Sequence, residues 1–167
     1  MTTKSLLFRR SAYADASEVV PVILLKISHA DLASPVYLST DPTERFSTDP
    51  LSYGTTSQGQ QYSFILVSAT IPDDVKGEVP KASLIIDNVD SDIVKLIRSF
   101  STYANVDMSV VLSSAPDVVE QSYPAMQIVK ATYDANQITL DLSRVLIEDM
   151  PFPSDRMTRN RFPGLWK

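Results

Sequence analysis

The sequence contains no cysteine, and this absence removes several classes of protein at once. Without thiols there are no disulfides, no thiolate zinc sites and no iron–sulfur clusters. Only four glycines are present, which argues against loops that cradle phosphates. The single histidine, His29, ends a predicted strand, and no spacing indicates the orienting partner that a general base needs. These absences, together with the lack of a recognisable catalytic or metal motif, predict a protein that is not an enzyme and carries no cofactor or metal.

Long apolar runs are also missing. No stretch approaches the roughly 20 apolar residues that span a bilayer, so no membrane segment is expected. Residues 1–16 carry basic side chains but no apolar stretch followed by a cleavage site, so no signal peptide is expected either.

Charge is unevenly distributed along the chain. The net charge is −5, and residues 151–167 hold four basic residues against Asp155, or +3. Residues 1–150 therefore carry −8. An acidic body lacks the phosphate-neutralising contribution that duplex DNA binding requires, which argues against sequence-specific nucleic-acid binding.

What remains is a chain of 167 residues that is 44% hydrophobic, enough to bury a core. We predict two regions, a β-rich globular body over residues 1–150 and an extended C-terminal arm over residues 151–167.

Hydrophobic alternation predicts about seven strands, with residues 41–59 and 113–123 as loops and residues 1–18 as either a short helix or an arm. The predicted strands cover residues 19–29, 36–40, 60–71, 81–87, 106–112, 125–133 and 137–147. The predicted fold class is mainly β (α+β), an antiparallel β-sandwich or partly open barrel with one packed helix at about 91–101.

Residues 80–100 combine a predicted strand with the only clear amphipathic helix that the sequence indicates. Asp87, Asn88 and Asp90 are predicted to form the turn between them and to cap the helix. Oxygen ligands cluster here, but the spacing does not match a calcium loop, so we favour the turn and cap. Glu120, Glu148 and Asp149 are candidate hydrolytic carboxylates, yet no spacing brings two together, and we expect them on a solvated surface.

The arm combines basic and large apolar residues with prolines that oppose helix and central strand. This pattern indicates docking onto the body or onto a neighbouring subunit, and single-stranded nucleic acid is a further alternative. The candidate subunit-contact anchors are Phe152, Arg159, Arg161, Phe162, Leu165 and Trp166. The loop predicted over residues 41–59 is a second candidate contact.

Three stretches together resemble a known family: residues 84–90, the pair 133–134 and the closing residues 161–166. The chain is similar, from about Phe8 to Trp166, to an uncharacterised-domain family of tailed-phage minor tail proteins. That family resembles the first domain of the lambda-type minor tail protein L. The longer relatives continue into a cysteine-bearing region with an iron–sulfur cluster, whereas this chain has no cysteine, so no cluster is carried over.

The resemblance implies a structural virion protein at the tail tip, made in the host cytoplasm. Its implied partners are other phage tail proteins, namely the distal tail or tube protein and the central hub protein. The implied assembly is a ring or trimer of identical chains that contributes to the DNA ejection conduit. A carbohydrate- or receptor-binding module is the alternative, and a cell-wall hydrolase is a third hypothesis.

Overall fold

A computed structural model describes residues 4–71, 81–87, 102–134, 137–144 and 158–165. Within them the chain is mainly β, with one α-helix, α1 (Leu6–Tyr13), a short 3₁₀ helix (Pro163–Leu165) and ten strands in a single sheet. The strands are β1 (Pro21–Ser28), β2 (Val36–Ser39), β3 (Glu44–Thr48), β4 (Leu51–Ser57), β5 (Gln60–Phe64), β6 (Val67–Thr70), β7 (Lys81–Asp87), β8 (Asn105–Leu112), β9 (Ala115–Tyr133) and β10 (Gln137–Arg144). The predicted mainly-β class is confirmed; the helix predicted at about 91–101 lies outside the described residues.

The sheet is open, and a short connection folds it back on itself. Its strand order is β3-β4-β5-β2-β1-β8-β9-β10-β7-β6, and its pairs are antiparallel except β2 with β5. Only Ile65 and Leu66 separate β5 from β6, so Phe64 and Val67 lie within about 11 Å of each other. The amide of Ile65 donates to the Ser39 carbonyl (2.9 Å), and the carbonyl of Leu66 accepts from the Asp87 amide (3.1 Å). These contacts bring the far end of the sheet back towards β2, as in a partly open barrel.

The curved sheet encloses one apolar core. Strands β1, β7, β8 and β10 alternate so that every second side chain points inward, as period-two patterning requires. The most completely buried members include Val106 and Met108 on β8 and Leu140 on β10, all at 0% exposure. This inner cluster positions the central strands, and through them everything on the outer surface.

A second, smaller cluster lies on the outer face. It consists of Val22, Leu24 and Val111, with Tyr62 of β5 packed against it. Close by, the turn between β4 and β5 reaches the start of β9. There Ser57 Oγ donates to the Pro116 carbonyl (2.7 Å). Strands β4 and β5 therefore form an outer layer over β1, β8 and the first half of β9, which adds sandwich character to the barrel.

Strand β9 is long because it serves two neighbours. Its first part pairs with β8 and its last part with β10. At an irregularity in the pairing with β8, Ala125 adopts φ +57°, and its amide donates to Asp107 Oδ1 (2.9 Å). The Asp107 carboxylate thus satisfies a backbone donor that the irregular pairing removes from the ladder.

The sequence predictions for 19–29, 36–40, 81–87, 106–112 and 125–133 are confirmed as strands, and 137–147 is confirmed over Gln137–Arg144. Three predictions were wrong. Residues 41–59 contain the hairpin β3–β4, residues 113–123 contain the first half of β9, and residues 60–71 form two strands where one was expected. In each case hydrogen bonding to a neighbouring strand overrides a weak local pattern. Of the two alternatives for residues 1–18, the short helix is the one observed, as α1.

Candidate functional site

The predicted arm is described over residues 158–165, and it is exposed there. Arg159, Arg161 and Phe162 all face solvent, and Phe162 is 38% exposed. The amides of Arg161 and Phe162 both donate to the Thr158 carbonyl (3.0 and 2.9 Å), and the 3₁₀ helix follows. This part of the arm is a tight turn and not an extended strand. Phe152 and Trp166 lie outside the described residues, and for Leu165 only the backbone is described.

The predicted cap residues are only partly covered by the structure. Asp87 is the exposed last residue of β7, and its amide donates to Leu66. Asn88 and Asp90 lie outside the described residues, so the predicted turn and cap remain predictions.

The second predicted contact region is the hairpin β3–β4, which forms one end of the sheet. The Glu44 side chain on β3 binds Thr56 on β4. Glu44 Oε2 accepts from the Thr56 amide (3.0 Å) and from Thr56 Oγ1 (2.6 Å). Leu51 and Tyr53, two residues apart on one face of β4, are 62% and 38% exposed. The hairpin therefore presents a fixed surface with two large apolar side chains in water.

A cleft of about 260 Å³ opens on the outer face where Tyr62 of β5 approaches β1, β8 and β9. Its lining combines an apolar wall with hydroxyl and charged groups. Across it Lys26 Nζ lies 3.9 Å from Asp107 Oδ2, and both side chains are about two-fifths exposed (42% and 40%). The lining residues are Leu24, Lys26, Tyr62, Asp107, Ser109, Ser122 and Pro124.

Tyr62 is the aromatic element of this cleft. Its ring meets the Tyr37 ring edge to face, with centroids 5.2 Å apart and planes at 79°. Burial raises the pKa of the Tyr62 hydroxyl above 10.0, and the negative forms of Tyr37 and Asp107 add to the effect. The hydroxyl is therefore a neutral donor at physiological pH, so the cleft offers hydrogen-bond donors and acceptors beside an aromatic ring.

His29 has a partner at each ring nitrogen. Its side chain is 2% exposed, Nδ1 accepts from the Asp31 amide (3.1 Å), and Nε2 lies 2.8 Å from Thr102 Oγ1. Because Nδ1 accepts, the neutral ring donates from Nε2 to the Thr102 hydroxyl. The imidazole joins the turn after β1 to the residues before β8.

Glu120 was expected on a solvated surface, and this expectation was wrong. The residue is 3% exposed, and its Oε2 accepts from the Ser5 amide at 2.8 Å, immediately before α1. Sequence reasoning missed this role because the partner lies 115 positions away. Glu148 and Asp149 lie outside the described residues.

In the described parts of the chain no group of three or more His, Cys, Asp or Glu side chains is arranged to hold a metal ion. The same residues include no helix that is long and apolar enough to cross a membrane.

A protein-family model matches the chain. The model described as Domain of unknown function (DUF1833) covers residues 8–157, which is most of the chain. The chain belongs to this family. The DUF1833 match begins inside α1, spans all ten strands and extends into residues 151–157 of the predicted arm. No curated protein matches the chain.

Proposed function

We propose that this DUF1833 chain is a structural protein of a phage tail tip, which acts by assembly and not by catalysis. The proposal starts from the sequence resemblance to minor tail proteins. In this proposal, identical copies of the chain form a ring or trimer that joins the tail tube to the central hub and receptor-binding proteins. In that setting the acidic body keeps a DNA conduit from binding its cargo through like-charge repulsion.

The observation that carries the proposal is the exposure of the two predicted contact regions. The hairpin β3–β4 leaves Leu51 and Tyr53 in water, and the arm leaves Phe162 in water with Arg159 and Arg161 beside it. Aromatic and arginine side chains dominate the affinity of protein interfaces when a partner covers them. These surfaces, at separate places in the sequence, suit a subunit that contacts more than one neighbour.

The test uses particles produced in cells that carry the complete set of tail genes. Immunogold labelling should place the full chain at one end of the tail. The variant Arg159→Glu/Arg161→Glu/Phe162→Ser should be made in normal amounts and be missing from particles. The matched control Lys81→Glu/Arg144→Glu/Tyr103→Ser alters exposed side chains elsewhere and should be incorporated. Absence of the unaltered chain from purified tails would refute the proposal.

A second candidate function, a carbohydrate-binding module, is favoured by the cleft beside Tyr62. An aromatic ring bordered by Lys26, Asp107, Ser109 and Ser122 suits a polyhydroxy ring, which needs both an apolar face and many hydrogen bonds. At about 260 Å³ the cleft suits a single sugar residue. Titration of neutral monosaccharides by calorimetry should give heat that Ser122→Ala weakens and Tyr62→Ala abolishes. Heats equal to those of dilution across a panel of hexoses and amino sugars would eliminate this candidate.

A further inference from the structure

Lys26 on β1 and Asp107 on β8 face each other across neighbouring strands, and both line the cleft beside Tyr62. Their Nζ and Oδ2 atoms are 3.9 Å apart, which is too far for a direct hydrogen bond. Within the described parts of the chain, no other group is hydrogen-bonded to either atom. The pair therefore presents one donor group and one acceptor side by side, and both are open to a ligand.

The Asp107 carboxylate is held in one orientation. Its Oδ1 atom accepts from the Ala125 amide (2.9 Å), so Oδ2 is the oxygen turned towards Lys26. An acceptor that the protein already holds in place loses little conformational entropy when a ligand binds to it. The acceptor half of the pair is therefore preorganised.

A second polar pair extends the same line of groups. Ser109 and Ser122 face each other across β8 and β9 and line the cleft as well. Ser109 lies two residues after Asp107, so their side chains share one face of β8 about 7 Å apart, and a single sugar ring can contact both. Each hydroxyl can donate and accept.

The charges of the lining favour a neutral ligand. Lys26 and Asp107 are the charged residues among those that line the cleft, and their charges cancel. A ligand with a net charge would be attracted by one of them and repelled by the other. Together with the hydroxyls of Ser109 and Ser122, this balance selects a neutral molecule with several hydroxyls on neighbouring carbons.

We propose that Lys26 and Asp107 together bind a vicinal diol of a neutral sugar, that is, two hydroxyls on neighbouring ring carbons. One hydroxyl donates to Asp107 Oδ2, and its neighbour accepts from Lys26 Nζ. The two oxygens of a gauche diol lie about a hydrogen-bond length apart, so they fit side by side against two atoms separated by 3.9 Å. Both bonds include a charged group and are therefore stronger than bonds between neutral partners. The inference rests on the carbohydrate-binding candidate above and states which part of the sugar the cleft recognises.

The first experiment changes the sugar. The probes are 1,5-anhydroglucitol and 1,5-anhydrogalactitol, which lack the anomeric oxygen, and binding to the full chain is followed by chemical-shift titration. Removing the hydroxyl on carbon 3 leaves no two hydroxyls on neighbouring carbons, whereas removing the one on carbon 2 leaves one such pair. The 3-deoxy analogues should bind about 10-fold more weakly than the parent sugars, and the 2-deoxy analogues should keep most of the affinity. The Ala125 amide should shift on binding, because it is bonded to Asp107.

The second experiment changes the protein. Asp107→Asn keeps an oxygen for the Ala125 amide and replaces Oδ2 with a donor, and Lys26→Met keeps the apolar stem without the ammonium. Each variant should bind the parent sugars about 10-fold more weakly and bind the 3-deoxy analogues equally weakly. Lys130 and Asp141 are the matched control, because they face each other across β9 and β10 outside the cleft lining. Lys130→Met and Asp141→Asn should leave both affinities unchanged.

Three results would overturn the assignment. Equal binding of the parent sugars and their 3-deoxy analogues would reject diol recognition and leave the carbohydrate-binding candidate standing. A primary carboxamide also places a donor beside an acceptor, so stronger binding of propionamide than of either sugar would assign the pair to carboxamides. No shift with any of the sugars up to their solubility limits would reject both diol recognition and the carbohydrate-binding candidate.

Discussion

The inner face and the outer layer of this sheet are stabilised by different interactions. Inside, β8 and β10 bury apolar side chains such as Met108 and Leu140 at 0% exposure. In the outer layer, Ser57 and Thr55 are buried at 3% and 6%, and they are held by hydrogen bonds to Pro116, Ser39 and Asp41. The inner face depends on volume and apolar area, whereas the outer layer depends on close backbone approach and paired polar groups.

The largest expected effect comes from a cavity in the inner face. Leu140→Ala removes a side chain that is 0% exposed and should lower the free energy of unfolding by about 2–5 kcal/mol, measured by urea denaturation. Leu51→Ala, at 62% exposure, is the control and should change it by less than about 0.5 kcal/mol. Equal losses in the two variants would contradict the division between the faces.

The next effect tests close approach in the outer layer. A Cβ added at Gly54 would lie 2.0 Å from the Tyr62 carbonyl oxygen and 2.5 Å from Phe46 Cε2. Gly54→Ala should therefore cost about 1–3 kcal/mol and shift the Tyr37–Tyr62 pair, visible in near-ultraviolet circular dichroism. Gly164→Ala has open space around it and should be neutral. A neutral Gly54→Ala would mean that β4 and β5 are not closely packed.

A smaller effect tests the polar clamp between the layers. Ser57→Ala removes the donor to the Pro116 carbonyl and should cost about 1 kcal/mol by urea denaturation. Ser68→Ala, at an exposed position of β6, is the control. If both variants match the unaltered chain, Ser57 does not contribute to holding the layers together.

The smallest effect appears only in alkaline solution. Because the pKa of Tyr62 is raised, the folded chain keeps its proton above pH 10, where the unfolded chain loses it. Stability should therefore fall as the pH rises above 10, and Tyr62→Phe should remove that part of the slope. Thermal unfolding from pH 8 to 11 measures it, with Tyr103→Phe as the matched control. If the dependence of stability on pH is the same in Tyr62→Phe as in the unaltered chain, the Tyr62 hydroxyl is no more buried in the folded chain than in the unfolded chain.

The difference between the inner face and the outer layer explains which strands could be predicted from the sequence. Strand β8 was predicted correctly because its inner residues alternate strictly, and alternation is what burial on one face demands. The hairpin β3–β4 was missed because Ser, Thr and Pro read as loop, and its order comes from partners such as Thr56 with Glu44. The break within residues 60–71 was missed because β5 and β6 differ in which neighbours they pair with and not in composition.

The candidate site also has a part that the sequence could predict and a part that it could not. Arg161 and Phe162 were predicted as subunit-contact anchors from composition alone, and the structure shows that both are exposed. The cleft beside Tyr62 could not be predicted, because its lining comes from β1, β5, β8 and β9, which only the strand order brings together.

The connection through Ile65 and Leu66 has a consequence for how the molecule opens. It couples β2, in the middle of the strand order, to β7, the second strand from one end of the sheet. The coupling runs through the hydrogen bonds to Ser39 and Asp87. Neither strand can separate without pulling the same short connection out of place. Amide hydrogens at Ile65 and Asp87 should therefore exchange with deuterium at a common rate set by one cooperative opening, although 21 of the 167 residues in the chain lie between them.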